Sequence, residues 1–374
     1  MRASRLRRRG AVPAPGPPSP VANSWRPAFR GGIVLWIAVL SPLAACGPPS
    51  DPDPWTEKVY VTSGFDDRIY VLSGTTGVVL DTLRLDPRPG EVDEPHGVAV
   101  HFGTGYWYAT VSHGTPTLWK FELNSDRLVG RVPLPQTGAS RIGLRPDGQR
   151  ALVPDYFRGG GGRSTSVAIV SLDNLEVLGT VELCEAPHDA AYAPNGRRAA
   201  LSCSLSDEVL LFDPDDATAT VRTPLEAGAR PMNLAWDHEG SRVFASLMGT
   251  DQVVQIDGAS GVIVGRVATG EDPAQIALAP DGPHLAVANR RGGTVSIIDT
   301  RGLLETRRIP VPGQNPHGVS WSASGDHLFV TYEGATNGSG GVVSIGVDGT
   351  ALWHTPLGAY VLGVASGLVP TPPR

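Results

Sequence analysis

The 374-residue chain is poor in the residues on which several common chemistries depend. It has three cysteines, three methionines, 6% aromatic residues and 18% charged residues. It contains no Cys-X-X-Cys-His, which excludes the usual covalent attachment of haem. It also lacks Gly-X-Ser-X-Gly, which argues against a serine nucleophile on a strand-to-helix elbow. No apolar run reaches the roughly 20 residues that a membrane-spanning helix needs.

The N-terminal segment is typical of an export signal. The first thirty residues hold seven arginines and no acid, and the apolar run Ile33–Ala45 follows. The end of that run, Leu43-Ala44-Ala45-Cys46-Gly47, resembles the bacterial lipobox, which implies that Cys46 is lipidated and becomes the first mature residue. Gly47 resembles the sorting position of outer-membrane lipoproteins. The alternative is an unmodified thiol after an ordinary signal. We therefore expect a lipid-anchored cell-envelope protein, on the outer membrane and facing the periplasm or the exterior.

The charge of the mature chain limits its partners. Removing the signal removes seven positive and no negative charges, which takes the formal net charge from −6 to about −13. An acidic domain repels phosphate backbones, so we predict no nucleic-acid partner. The Pro-rich stretch from Gly47 to Trp55 favours extended, solvated backbone, so contact with the membrane is expected only through the lipid.

Seven glycines recur at intervals of 42 to 48 residues: Gly105, Gly148, Gly196, Gly240, Gly282, Gly325 and Gly367. A period in the low forties, with four short β-branched segments and Asp-Gly or Asn-Gly turns between the marks, is the signature of a blade array. In the fifth repeat we expect strands at 242–246, 252–257 and 262–267. The sequence predicts an all-β, seven-bladed β-propeller.

The two ends of the repeat array complement each other. The first repeat begins at Val59–Thr62 with a second strand, and the chain ends at Tyr360–Ala365 with an inner strand. The last strand is therefore expected to complete the first blade and leave no free edge. We assign residues 1–45 to the signal, 46–56 to the lipidated cysteine and tether, 57–367 to the propeller and 368–374 to a tail. We expect a monomer.

Several phrases resemble one family of seven-bladed propellers, the YVTN-repeat family. They are Tyr60-Val61-Thr62-Ser63, Phe329-Val330-Thr331-Tyr332 and the third-strand endings Phe212-Asp213, Ile256-Asp257 and Ile298-Asp299. The resemblance covers roughly Lys58 to Gly367. It implies the fold but no single function, since similar propellers bind ligands, scaffold partners, hydrolyse lactones or cleave lactone rings.

A ring of equivalent positions is expected to face the channel at the start of each inner strand. Counting back eight residues from each turn glycine, or nine in the second blade, gives His96, Ser140, His188, Met232, Ala274, His317 and Ala359. The next position reads Gly97, Arg141, Asp189, Asn233, Gln275 and Gly318. Three of the nine histidines of the chain thus share one ring.

Two interpretations of this ring stay open. In the first, His96, His188 and His317, with Met232, hold a divalent metal ion or an anionic small molecule. In the second, each imidazole only hydrogen-bonds the neighbouring blade. A metal site requires all three nitrogens within about 2.1 Å of one point, which a wide channel forbids. The candidate ligand-binding residues are His96, Arg141, His188, Asp189, Met232, Asn233, His317 and Tyr332.

The function expected from this pattern is binding of a small ligand or an envelope protein at the channel mouth, without catalysis. The alternative is a metal-dependent lactonase or lactone lyase in which His96, His188 and Glu333 hold the ion. Lactonase-like repeats commonly place arginine before the inner-strand histidine, whereas Glu94-Pro95 precedes His96. A divalent metal ion is the one cofactor that these interpretations imply.

The remaining cysteines bracket one inner strand. Cys184 lies four residues before His188, and Cys203 ends the neighbouring second strand. In an oxidising exported compartment such a pair is expected to form a disulfide. A Cys-Cys-His metal site is the alternative.

Overall fold

The computed structural model describes residues 54–156, 164–217, 220–334 and 338–371. These residues form seven four-stranded antiparallel sheets, the blades of a ring. Blades two to seven each use four strands that are consecutive along the chain. The first blade combines the last strand with the first three. The predicted all-β, seven-bladed propeller closed by the C-terminal strand is confirmed.

The strands, in chain order, have the following bounds. Blade one contains β1 (Trp55–Ser63), β2 (Arg68–Ser73), β3 (Val79–Arg84) and the closing strand β28 (Val361–Pro370); blade two β4 (Pro95–His101), β5 (Tyr106–Val111), β6 (Thr117–Glu122) and β7 (Leu128–Pro133); blade three β8 (Gly143–Leu144), β9 (Arg150–Pro154), β10 (Ser166–Ser171) and β11 (Glu176–Glu182); blade four β12 (Pro187–Tyr192), β13 (Ala199–Cys203), β14 (Glu208–Phe212) and β15 (Thr220–Pro224). Blade five contains β16 (Pro231–Trp236), β17 (Arg242–Leu247), β18 (Gln252–Asp257) and β19 (Ile263–Ala268); blade six β20 (Pro273–Leu278), β21 (His284–Asn289), β22 (Thr294–Asp299) and β23 (Leu304–Pro310); blade seven β24 (Pro316–Trp321), β25 (His327–Tyr332), β26 (Gly341–Gly346) and β27 (Ala351–Pro356). Among the described residues, one 3-10 turn, Phe102–Thr104, joins β4 to β5, and no helix is long and apolar enough to cross a membrane.

The closure of the ring is an antiparallel pairing between the two ends of the described chain. β1 pairs with β28 from Trp55 opposite Pro370 to Ser63 opposite Val361. The hydroxyls of Thr56 and Thr371 lie 2.9 Å apart beyond the last pair. The pairing thus extends two residues before position 57 and three beyond position 367, the limits drawn from the repeats.

The core lies between neighbouring blades. The second strands are almost wholly buried, as in β17, whereas the outermost strands expose alternate residues, as in β19. One buried cluster joins Phe244 and Val253 of blade five to Ile276 of blade six. Because each buried large apolar side chain contributes about 1.5–3 kcal/mol, packing of blade on blade stabilises sheets that could not bury both faces alone.

A second set of contacts between blades is polar, and we call it the hydroxyl latch. A hydroxyl at the penultimate residue of the second strand accepts a hydrogen bond from an N–H of the inner strand, or ring strand, of its own blade. It donates to the carbonyl oxygen of the ring-position residue in the next blade. Thr62, for example, accepts from Gly363 N (2.8 Å) and donates to His96 O (3.0 Å). The other latch residues are Thr110, Ser202, Ser246 and Thr331.

The latch also corrects the ring count in the closing blade. The first six marked glycines have left-handed backbones, with φ between 68° and 88°, as tight turns require. Gly367 instead lies inside β28. The residue equivalent to Gly97 is Gly363, because the N–H of each bonds a latch threonine. Leu362 therefore holds the ring position, and the assignment of Ala359 was wrong.

Candidate functional site

The start of each ring strand is shaped by one unusual backbone conformation. In six blades a residue other than glycine has φ between 49° and 60° two positions before the ring residue: Glu94, Ala186, Arg230, Asp272, Asn315 and Tyr360. A left-handed residue with a Cβ costs roughly 1–2 kcal/mol. A proline follows in five of the six. This turn directs the chain into the ring strand and lets the residue before the proline contribute to the mouth.

The structure brings the three predicted histidines together at the channel mouth. The His96 ring centroid lies 6.0 Å from that of His188 and 6.1 Å from that of His317, both in edge-to-face arrangements. Tyr156 packs edge-on against His188 at 4.7 Å. The channel is therefore narrow enough for histidines from blades two, four and seven to share one space.

The ring nitrogens of these histidines have different partners. His188 Nδ1 lies 2.9 Å from Met232 O, and His96 Nδ1 lies 3.3 Å from Glu94 Oε1. His96 Nε2 and His317 Nδ1 are buried, and no described residue hydrogen-bonds either of them. Burial holds the pKa of His317 well below its usual value, and the nearby His96 and Arg290 act in the same direction. His317 is therefore a neutral imidazole at neutral pH.

These histidines border a cavity of about 50 Å³. It is lined by Glu94, His96, Ser112, His113, Tyr156, His188, Arg230, Met232, Met248, Arg290, His317 and Tyr360. Both polar and apolar side chains thus reach the space. Such a mixed lining, with a few convergent polar groups, is typical of a small-molecule site.

Three predicted candidates lie deeper, at what we call the floor of the mouth. Arg141 Nη1 of blade three donates to Gln275 Oε1 of blade six at 2.9 Å, a bond that crosses the ring. Asp189 Oδ2 accepts from Leu234 N at 2.9 Å. Burial lowers the pKa of Arg141 and raises that of Asp189, and each charge opposes the shift of the other. Arg141 also borders a space of about 10 Å³ in the channel.

Asn233 completes the floor. Its Oδ1 accepts from Ile276 N at 3.2 Å, and the residue also borders the deeper space. Arg141, Asp189 and Asn233 thus serve first to join blades across and around the ring. Of the predicted candidates, His96, His188, Met232 and His317 line the cavity of the mouth.

Tyr332 and Glu333 are directed elsewhere. The Tyr332 hydroxyl lies 2.7 Å from His354 Nε2, and this tyrosine is absent from the cavity lining. Both carboxylate oxygens of Glu333 accept from Arg290, each at 2.6 Å. The hydrogen bonds to Glu333 raise the pKa of Arg290, so the guanidinium stays charged. Glu333 is therefore committed to Arg290 rather than to a metal ion shared with His96 and His188.

The imidazole nitrogens of the mouth are the candidate ligands for a metal ion. Imidazole nitrogens suit zinc and copper, and His96 and His317 each present one buried nitrogen without a hydrogen-bond partner. Within the described ranges, however, no three histidine, cysteine, aspartate or glutamate residues are arranged to hold a metal ion. The three-histidine metal site stays a prediction.

Eight lining residues are outside the candidate ligand-binding residues drawn from the sequence: Glu94, Ser112, His113, Tyr156, Arg230, Met248, Arg290 and Tyr360. Three of them occupy the left-handed position two residues before the ring residue. The sequence offers one indication of these residues, because Glu94 and Arg230 each precede a proline at the start of a ring strand. Its meaning depends on backbone conformation, which the repeat pattern does not show.

The cysteine pair lies at the edge of the site. Cys184 and Cys203 form a disulfide with a Cα–Cα distance of 5.8 Å across a sequence separation of 19. The bridge joins the segment before β12 to the end of β13 and so fixes the approach to His188. Cys46, the signal and residues 46–53 of the tether lie outside the described residues.

The fold and the mouth define the class: a seven-bladed β-propeller with a histidine-lined channel opening. No protein-family model and no curated protein matches the sequence. A protein of unknown function from Desulfotomaculum acetoxidans aligns over 83% of this chain and 98% of its own, with 15% identity and a TM-score of 0.68. The periplasmic gluconolactonase of Pseudomonas aeruginosa aligns over 83% and 99%, with 16% identity and a TM-score of 0.66. A dihydro-heme d1 dehydrogenase aligns over 85% and 76%, with 12% identity and a TM-score of 0.57. At these identities the likeness concerns the fold alone.

Proposed function

We propose that the propeller binds a small oxygen-rich ligand, carrying a carboxylate or lactone group, at the histidine mouth. The observation that carries the proposal is the pair of buried nitrogens, His96 Nε2 and His317 Nδ1, that lack a hydrogen-bond partner among the described residues beside one cavity. A buried polar group without a partner costs about 1–3 kcal/mol. A ligand oxygen that accepts a hydrogen bond from such a nitrogen in its N–H form removes that cost.

One cation at the mouth favours the same ligand class, whereas the carboxyl group of Glu94, which also lines the cavity, is turned to His96. Arg230 lines the cavity with an exposed side chain, and no acidic group among the described residues pairs with its guanidinium. Arg290, by contrast, is neutralised by Glu333 and lies 3.3 Å from Asp272. One uncompensated cation at the rim is suited to a single carboxylate or to the oxygen atoms of a lactone.

The test is calorimetric titration with δ-valerolactone and with its hydrolysis product, 5-hydroxypentanoate. We expect His96→Ala and His317→Ala to reduce affinity at least tenfold while the melting temperature of the free protein changes little. The control is His238→Ala, since the His238 ring bonds Ala279 O far from the mouth. Absence of binding to wild-type protein refutes the proposal, as does equal destabilisation by both mouth variants without loss of affinity.

A second candidate is lactone hydrolysis, and one observation favours it. His317 is neutral, and its buried Nδ1 at the cavity, which has no hydrogen-bond partner among the described residues, is an acceptor in the tautomer that carries the proton on Nε2. Such a group can take a proton from water as the water attacks a lactone carbonyl. The fold similarity to a periplasmic gluconolactonase agrees with this candidate without establishing it. Acid release from δ-gluconolactone and δ-valerolactone, followed in a pH-stat, separates the candidates: turnover lost in His317→Gln supports the enzyme, and binding without turnover supports the binding protein.

We further propose that the chain is an exported lipoprotein of the YVTN-repeat kind, anchored through Cys46 to the outer membrane. The lipobox-like residues before Cys46 and the Tyr60–Ser63 phrase support this proposal. Acyl chains would supply the attachment, because the tether offers little apolar area. Cys46→Ser should move the protein from the membrane fraction to the soluble fraction. A variant that stays membrane-bound with unchanged processing contradicts the anchor.

A further inference from the structure

The size of the mouth cavity limits how much of a ligand can enter it. Its volume is about 50 Å³. A cavity of about 10–15 Å³ on this measure holds one water molecule, and sites that enclose whole small molecules have volumes of roughly 300–1,000 Å³. The cavity therefore accepts one polar group, and the rest of any larger ligand must lie on the rim.

The rim beside the cavity carries a pair of aromatic rings. Tyr360 lines the cavity, and Phe65 stacks on it with ring centroids 4.5 Å apart and an interplanar angle of 21°. Backbone bonds fix both residues, since Gly64 N donates to Tyr360 O (2.9 Å) and Phe65 N to Ala359 O (3.2 Å). The two rings thus form a fixed surface that continues the cavity wall outward.

Core packing does not account for the exposure of the Phe65 ring. Phe65 keeps 53% of its surface exposed, although a buried aromatic side chain would contribute more to stability. Tyr360 occupies the left-handed turn position that precedes the ring residue in six blades, and here that turn places an aromatic ring at the cavity. Exposed aromatic area beside a cavity is a feature of binding sites.

We propose that Phe65 and Tyr360 form a platform that binds the aromatic or aliphatic body of the ligand while its carboxylate or lactone group enters the histidine cavity. The inference rests on the proposed function and narrows it. The ligand class is an amphipathic carboxylate or lactone with one planar apolar face. A compact polar acid alone would leave the platform unused.

The test compares two stable carboxylates, propanoate and 3-phenylpropanoate, by calorimetric titration of the full chain. Stacking of a ring on an aromatic pair adds to the gain from burying its area, so we expect wild-type protein to bind 3-phenylpropanoate about tenfold more tightly. Phe65→Ala should reduce this ratio to about twofold or less. Phe102→Ala is the matched control, because Phe102 is 55% exposed at the opposite end of the ring strand β4, and should retain the wild-type ratio.

The outcomes separate this inference from the one beneath it. Binding of neither carboxylate to wild-type protein refutes the proposed function, and the platform with it. Binding of both with equal affinity refutes the platform only. A Phe65→Ala variant that keeps the tenfold preference, or a Phe102→Ala variant that loses it equally, also overturns the platform.

Discussion

The hydroxyl latch between the last two ring strands is open to a direct test. Thr331 Oγ1 accepts from Gly318 N at 2.8 Å and donates to Leu362 O of the closing blade. Thr331 and Leu362 are fully buried. Thr331→Val keeps the shape of the side chain but leaves one N–H and one C=O without a partner. At about 1–3 kcal/mol for each orphaned group, with partial relaxation, the loss should be about 2–4 kcal/mol.

The assay is thermal and urea unfolding of the purified propeller. With an unfolding entropy of about 2.1 cal/mol/K per residue over roughly 300 residues, this loss lowers the melting temperature by about 3–6 °C. Thr331→Ser keeps the hydroxyl and should cost about 1 kcal/mol for the missing methyl. Thr82→Val, on an exposed position of β3, should change little. A loss below about 0.5 kcal/mol in Thr331→Val, or an equal loss in Thr331→Ser, would show that the latch does not stabilise the ring.

Three further predictions follow from separate features. Replacing Cys184 and Cys203 together by serine opens a loop of 19 residues and should cost about 3 kcal/mol; equal unfolding midpoints for wild type and variant would contradict this. Because burial lowers the pKa of folded His317, the unfolded chain binds more protons below about pH 6.5. The stability associated with neutral His317 is thus present above that pH and lost as the pH falls, and denaturation of His317→Gln between pH 7.5 and 5 should show a shallower slope than wild type. Truncation before Tyr360 removes β28 and exposes the edge of β1, so the product should aggregate or be cleaved rapidly by protease; monomeric elution with an unchanged melting temperature would be incompatible with the closure.

The repeat pattern predicted the fold because glycine turns and apolar strands repeat with the geometry of a blade. In blade five the expected strand at 252–257 matches β18, and the expected strand at 262–267 is one residue early relative to β19. The ring of histidines could be predicted for the same reason, since His96, His188 and His317 each follow a proline at equivalent positions of their repeats. Such positions follow from local sequence alone.

The parts of the site that escaped prediction depend on contacts between distant residues or on backbone conformation. Glu333 was a candidate ligand, yet its carboxylate is bound by Arg290, 43 residues earlier. Tyr332 was expected in the mouth, but its hydroxyl meets His354 on the outermost strand of the blade. Tyr360 itself has a left-handed backbone conformation that places it at the mouth, and no proline follows it. No periodic signal carries these facts.

The pairing of β1 with β28 also sets an order of events in time. Tyr60 pairs with Ala365, so the contact joins residues separated by almost the whole described chain. Blades two to seven can each form from consecutive strands as the polypeptide lengthens, whereas the first blade must wait for the final strand. Contacts between residues so far apart in sequence form slowly. The nascent chain therefore carries an unpaired β1 edge until β28 has been synthesised, and this interval is when the edge is most open to pairing with another chain.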